Sequence, residues 1–307
     1  MGSPFGPLTL LVDPGAGRGR VGKELPEVER SLLGRGLEYR VVQGARPEEL
    51  RARAREALEA GERFLVAVGD DRTVFEVVNG MVEDDRPVAP DAVLGVVAAG
   101  SGCDFARTFG LPGDATRAAA ALSGDTLFPI DVAKATYVDS EGRDDSRYVP
   151  GVAQAGMGAA IAARAERLPS ALGRGRYFVG FWTTLTTFRP ADVEVRAGSN
   201  RFTGQARTVV VANCQYHGDG RRISPRSWPG DGLLDVLVMT GPRSDAFTTL
   251  PAIYRGEHLP DPNIVEMKGK AIHVDADRPL PLEADGRVLG STPATFEVIR
   301  LALRVKV

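Results

Sequence analysis

The sequence predicts a two-domain protein in which an α/β domain is followed by a largely antiparallel β domain, and two observations carry this reading. Up to about residue 122, short apolar runs alternate with amphipathic helical stretches, the pattern of a parallel sheet covered on both faces. After residue 127, runs of alternating polarity follow one another between turns, which is the pattern of antiparallel pairing. The 307 residues are enough for about two domains, each with a core of its own.

The first strand is residues 8–12, LTLLV, which run into DPGAGRGRVGK at 13–23. Gly17 to Gly22 match the dinucleotide fingerprint GxGxxG, and Gly17 to Lys23 match the GxxxxGK part of a Walker A loop. Both matches are weak. Glu24 stands where the Walker loop needs Ser or Thr for magnesium, and the strand at 37–42 ends at Gln43, without the ribose-binding acid of a dinucleotide site. What remains is a cationic loop beside a strand end, a composition shared with ordinary solvated loops. Pro47 opens a helix through Ala60, with Leu50, Ala54, Ala57 and Leu58 on one face.

Residues 64–68 form a buried strand that ends in the turn Gly69-Asp70-Asp71-Arg72-Thr73, after which Val74, Val77, Val78 and Met81 recur at helical spacing. The unpaired N–H groups and positive dipole end at such a turn favour an anion, phosphate above all. An ordinary strand-to-helix connection has the same pattern, so the turn alone decides nothing. A second one follows: a strand at 93–98, a Gly100-Ser101-Gly102-Cys103 turn and Asp104 as the cap of another helix. Two such turns at neighbouring carboxyl ends of one parallel sheet lie where open α/β sheets bind ligands.

A short helix at 116–122 closes this half, and the joint to the second domain, near 124–130, is expected to be short. Strands are expected at 128–138, 192–198, 207–214, 233–239, 271–276 and 280–284, with a last strand-like run at 295–307. Two helical stretches interrupt them, near 156–168 and 176–188. The second is apolar on most faces, so it is expected to be buried or to border a lipid-sized cleft.

A formal charge of −2 provides no whole-chain basic field, which argues against nucleic acid as a partner and against recruitment to a membrane by bulk charge. The two cysteines, Cys103 and Cys214, are far apart and fit a reducing compartment better than a disulfide framework. The N-terminus lacks a signal-peptide pattern and no apolar stretch reaches the length of a membrane span. The expectation is a cytoplasmic protein that touches a membrane only peripherally.

In order and approximate spacing, DPGAG (13–17), GDDRTVFEVVNG (69–80), GSGCDFARTFGLP (100–112), a strand with Asp131 and Ala133, AGMGAAIAARAE (155–166), VVVANCQYHGDGRRISPRSWPGDGLLDV (209–236) and LEADGR (282–287) resemble the diacylglycerol kinase catalytic-domain family. That family includes bacterial lipid kinases and sphingosine kinases, and the resemblance covers nearly the whole chain. It implies an N-terminal NAD-kinase-like α/β nucleotide-binding domain (1–127) and a C-terminal antiparallel β-sandwich substrate domain (128–291), with residues 292–307 returning to the first. The implied reaction moves the γ-phosphoryl group of ATP, with Mg2+, to the hydroxyl of a diacylglycerol or a similar apolar alcohol.

Carried over by position, Asp13, Pro14, Gly15, Ala16 and Gly17 approach the phosphates or ribose, and Gly69, Asp70, Asp71, Arg72, Thr73, Val74, Phe75 and Glu76 form the main phosphate loop. Ser101 and Gly102 contact nucleotide, Asp104 and Arg287 face the substrate, and Asp71 and Asp285 are the catalytic acids, Asp285 lying where the family's late motif takes up the proton of the acceptor. Asp231, with the carbonyls of Trp228 and Leu233, matches a magnesium site of bacterial members; a simple chain reversal at Asp231-Gly232 reads equally well.

Five positions depart from the family pattern. GDDRT replaces GGDGT, Asp285-Gly286-Arg287 carries Arg where the family has Glu, Cys103 replaces Asn, and Asp13 replaces Asn. Glycine serves where a backbone needs positive φ or a phosphate must come close, so Asp70 and Arg72 are expected to disturb the loop. Asp70 adds a like charge beside the phosphates, a cost on the order of 4 kcal/mol at 4 Å and an effective dielectric of 20, which Arg72 is placed to offset. The alternative to a working kinase is a catalytically impaired homologue that binds nucleotide or lipid without turnover.

Overall fold

The structure, a computed structural model, describes residues 3–99, 102–169, 172–173 and 175–307. In chain order the first half contains β1 (Leu8–Val12), α1 (Ala16–Leu33), β2 (Tyr39–Gln43), α2 (Glu49–Glu59), β3 (Phe64–Gly69), α3 (Asp71–Met81), β4 (Val82–Glu83), β5 (Arg86–Pro87), β6 (Val93–Ala98), α4 (Asp104–Thr108) and α5 (Ala115–Ala121). The second contains β7 (Leu127–Val138), β8 (Asp144–Val149), β9 (Val152–Gly156), α6 (Met157–Arg167), α7 (Gly175–Thr187), β10 (Ala191–Ala197), β11 (Asn200–Ala206) and β12 (Thr208–Ala212). It ends with β13 (Leu234–Met239), α8 (Asp245–Arg255), β14 (Ile264–Gly269), β15 (Ala271–Ala276), β16 (Pro281–Ala284) and β17 (Arg287–Lys306).

In the first half, β2, β1, β3 and β6 lie side by side and pair in parallel. Their apolar runs are continuous because both faces are covered. Leu8, Leu10 and Val12, with Phe64, Val66 and Val68, pack with Val21, Val28 and Leu32 of α1, whereas Leu11, Leu65 and Ala67 face Leu50 and Ala54 of α2 and Val74 and Val77 of α3. All four strands therefore end on one edge, and the turns after β1, β3 and β6 gather there.

The second half is antiparallel. β14, β13, β12, β9, β16 and β17 form one run, while β17 also pairs with β7 and β15, β15 with β10, and β10 with β11. β17, 20 residues long, serves both halves, since Arg304 and Val305 lie parallel to Val93 and Leu94 of β6. It can do so because its register shifts between Ile299 and Leu303, with Leu301 in a left-handed conformation (φ 47). Asp131, fully buried, holds the joint: its carboxylate accepts from Leu301 N at 2.7 Å and from Gly232 N at 2.6 Å.

The two halves share apolar cores. One apolar cluster runs from Leu65 and Val78 to Val132, Val210 and Leu237, and Phe75 of α3 lies in the sandwich core beside Ala153 and Phe296. Several elements were not foreseen in the sequence, among them the strands β8, β9, β11 and β14 and the helix α8. α8 is a helix that Pro251 and its two threonines conceal, because these residues have low helix propensity. α7 is not buried, the first arm of its expectation: Phe178 is 65 % and Trp182 40 % exposed, and only Gly180, Thr184 and Leu185 are buried; its C-terminal turn lines a hollow instead. Hydropathy records that the helix is apolar, not whether anything covers it.

Candidate active site

β3 ends at Gly69, where a Cβ would sit well inside van der Waals contact of the Thr73 side chain, so the tight reversal requires glycine. The next residue caps α3: Asp70 accepts from Thr73 N at 3.4 Å. Its backbone is extended (φ −103), and Arg72 lies inside the helix, so neither departure from glycine strains the chain. The backbone part of the expected disturbance does not arise, since neither residue is left-handed. Asp70 instead occupies a helix N–H that an anion would otherwise take.

Asp71 begins α3 half-buried and reaches across to the turn after β6, accepting from Phe105 N at 2.8 Å and from Cys103 Sγ at 3.4 Å. Asp104, 4 % exposed, accepts from Gly220 N at 2.8 Å, and its Oδ2 is buried without a partner among the described residues. Desolvation, then the neighbouring Asp104 charge, raises the Asp71 carboxyl above the usual range, against the lowering effect of the backbone N–H groups. Burial likewise pushes the Cys103 thiol well up, with Asp71 adding to it.

Asp285 enters from the sandwich, between β16 and β17, in a left-handed conformation (φ 45) that Asp tolerates better than most residues. Its two oxygens accept from Gly151 N at 3.0 Å and Val152 N at 2.8 Å, and a Cβ at Gly151 would collide with them. Burial raises its carboxyl to about 7; the two N–H groups oppose this and the Asp71 charge reinforces it. Asp71, Asp104 and Asp285 are thus brought into one electrostatic neighbourhood from three turns and both halves of the chain.

The two unexpected arginines each reach from one half of the chain to the other. Arg72 of the first half bonds Gly286 O and the Glu166 carboxylate of α6, while Arg287 of the second half bonds Glu48 and lies 3.4 Å from Glu76. Arg18 joins them, its guanidinium lying against Gly173.

The remaining predicted residues scatter in role. Asp13, 6 % exposed, accepts from Gly15 N at 2.9 Å, and Gly17, Arg18 and Gly19 are left-handed, so the chain after Pro14 and Ala16 curls at the strand end. Burial, and then Asp70 and Glu48 after it, raises the Asp13 carboxyl against its backbone bonds. Val74 and Phe75 are core side chains that can offer a ligand only backbone. Gly102 has positive φ (109); Ser101 lies outside the described residues. At the predicted cation site, Asp231 accepts from Leu233 N at 3.0 Å and from Lys268 Nζ at 2.9 Å, and the Trp228 carbonyl accepts from Gly230 N and Asp231 N. An ammonium group there neutralises the carboxylate.

Beneath the late motif lies a cluster that the sequence reading did not single out. His217 Nε2 is 3.0 Å from Glu283 Oε2, and Gln154 Nε2 donates to the same oxygen at 2.9 Å. The only hint was a lone Gln in an apolar strand and one of just three histidines. Burial alone would lower the imidazole pKa, but Glu283 raises it to about 9. A group raised from 6.5 to about 9 contributes stability that is complete below 6.5 and lost as pH rises through 9. Asp285, raised from 3.8 to about 7, acts in the same direction. Urea unfolding is therefore expected to show a few kcal/mol less stability at high pH than near pH 6, at about 1.4 kcal/mol per pKa unit. A His217→Gln/Glu283→Gln double variant should flatten most of that slope, and an unchanged slope would refute the ion pair.

Among the described residues no three His, Cys, Asp or Glu side chains converge as a ready-made metal site. The orphaned Oδ2 of Asp104 beside the Asp71 carboxylate nevertheless fits a hard cation that shares its shell with phosphate oxygens. Mg2+ would be held by these two carboxylates and would supply charge neutralisation to the phosphates.

Residues 7–135 match the diacylglycerol kinase catalytic domain, and residues 151–307 match the YegS C-terminal NAD kinase beta sandwich-like domain. A diacylglycerol kinase of Bacillus subtilis is 26 % identical over 94 % of this chain and 91 % of its own. One of Mycobacterium tuberculosis is also 26 % identical, over 98 % and 95 %. The crystal structure of a diacylglycerol kinase from Bacillus anthracis superposes with a TM-score of 0.71 over 99 % of this chain and 97 % of that one, at 20 % identity, a likeness of fold.

Proposed function

The chain belongs to the diacylglycerol kinase family, and from this premise we propose that it transfers the γ-phosphoryl group of ATP to the hydroxyl of a diacylglycerol or similar apolar alcohol. The reading rests above all on Asp285, a buried carboxyl raised to about 7 beside the strand-end turns of the α/β half. A base of that pKa is half ionised at neutral pH and can take up the proton of an attacking alcohol.

The polyphosphate would lie along the turns after β1, β3 and β6, where α3 presents its N-terminus, with Arg72 and Arg287 in reach. The acceptor hydroxyl attacks the γ-phosphorus, the bond to the β,γ-bridging oxygen breaks, the proton passes to Asp285, and ADP leaves. The carboxyl groups of Asp71 and Asp104 would hold the magnesium ion of the nucleotide. We place this activity in the cytoplasm, in phospholipid metabolism at a membrane surface; no helix among the described residues is long and apolar enough to cross a membrane.

The test is to incubate the protein with γ-labelled ATP, Mg2+ and diacylglycerol in detergent micelles. Label is expected in a lipid phosphate, and its loss with Asp285→Asn is expected. Tight, magnesium-dependent nucleotide binding without label in any of a panel of apolar alcohols would instead establish the non-catalytic alternative.

A further inference from the structure

The sandwich half holds a cavity of about 450 Å3 that the phosphotransfer reading does not use. It opens between α6, the C-terminal turn of α7 and the segment leading into β16. Three guanidinium side chains line it, those of Arg164, Arg189 and Arg278, and among the described residues no carboxylate does. Phe188 and Leu280 contribute to an apolar wall. Thr184 also lines it, 3 % exposed, with a buried hydroxyl that has no partner among the described residues.

The positive charge there is only lightly balanced. Arg164 donates to Thr187 Oγ1 at 3.2 Å and has no carboxylate partner among the described residues, and neither does Arg189. Arg278 is held by the carbonyls of Pro190, at 3.1 Å, and Arg189, with the half-exposed Asp277 at 3.5 Å. Arg243 approaches from another side, bonding the Phe188 carbonyl at 3.1 Å. Carbonyls at the end of α7 thus gather guanidinium groups around a polar and apolar hollow. Such a hollow is complementary to a phosphate ester that carries an apolar body. The same helix bears the exposed Phe178 and Trp182, and the Trp182 ring centroid is 5.8 Å from that of Phe247 on α8. An aromatic face of this kind suits the interfacial zone of a bilayer.

We propose that this cavity seats the phosphate headgroup of an acidic membrane lipid, as a lipid site separate from the acceptor position in the cleft. The guanidinium groups of Arg164 and Arg189 meet the phosphate, Thr184 supplies a hydroxyl, and the chains leave over the aromatic face of α7. Leu280 is separated from Asp285 by β16, roughly 16 Å of extended chain, so the two sites are distinct. The inference does not depend on the phosphotransfer reading.

Calorimetric titration of the full chain, without nucleotide, tests it. Dihexanoylphosphatidylglycerol, kept monomeric, is expected to bind at one site, with dihexanoylphosphatidylcholine and inorganic phosphate each at least about tenfold weaker. Arg164→Gln/Arg189→Gln should weaken the acidic lipid by about 100-fold, roughly tenfold per guanidinium, and Thr184→Val should weaken it several-fold. Wild-type affinity in these variants would overturn the site, and inorganic phosphate binding as tightly as the lipid would overturn the lipid assignment. Phosphotransfer in detergent micelles should survive Arg164→Gln/Arg189→Gln, which separates failure of this site from failure of the kinase reading.

Discussion

Asp285→Asn is expected to lower kcat/KM for phosphoryl transfer by about 10²–10⁴-fold, the range that a positioned general base contributes. Asn accepts the left-handed backbone at this position and matches Asp in size, so the substitution probes charge more than shape. It keeps one acceptor oxygen where Asp has two, so one of the N–H groups of Gly151 and Val152 loses its partner, at about 1–3 kcal/mol of stability. Thermal melting therefore belongs beside the rate measurement. The diagnostic is the pH profile. In the wild type kcat/KM should rise through a midpoint near 7 as the Asp285 carboxyl ionises, and the Asn variant should lack that limb. If the limb persists in a folded Asn variant, the proton goes elsewhere, and Asp71 is the next group to examine.

The second large effect is expected from Arg72→Gly combined with Arg287→Glu, which restores the family residues at both positions. Asp13, Glu48, Asp70, Asp71, Glu76, Asp104 and Asp285 share one electrostatic neighbourhood, and on the proposed function a polyphosphate enters among them. Arg72 and Arg287 are two of the cations that offset this charge, and they rest on Glu166, Glu48 and Glu76. One charge at 4 Å is worth on the order of 4 kcal/mol at an effective dielectric of 20, so losing both cations should weaken ATP binding at least about 100-fold. Glu166→Gln, which releases Arg72 from its carboxylate, should act oppositely and tighten ATP. Unchanged affinity in the double variant would mean that the arginines only fasten the two halves together.

The strand-end turns were readable because their signal is local. Gly69, Asp71 and Asp104 sit in short runs where an apolar strand breaks into a helix, and chain order alone brings such turns to one edge of a parallel sheet. The pairing of Arg72 with Glu166 was not readable, since 94 residues separate them. The same holds for His217 and Glu283, whose 66-residue separation hides an ion pair that only the closing of β9, β16 and the 217–222 loop creates. Asp70 shows the opposite limit: its sequence position implies a charge against phosphate, while its local geometry makes it a helix cap.

The sequence by itself determined the order of the two halves, the periodicity that makes one parallel and the other antiparallel, and the motifs that carry the family resemblance, because each of these is written in residues close along the chain. Only the tertiary structure decided which carboxylates share a field, which arginines cross the cleft, and that the aromatic face of α7 stays open while Phe75 of α3 is enclosed by the sandwich. Burial and charge proximity are properties of space. A side chain acquires its pKa and its partner from neighbours a hundred residues away along the chain, and no local pattern records them.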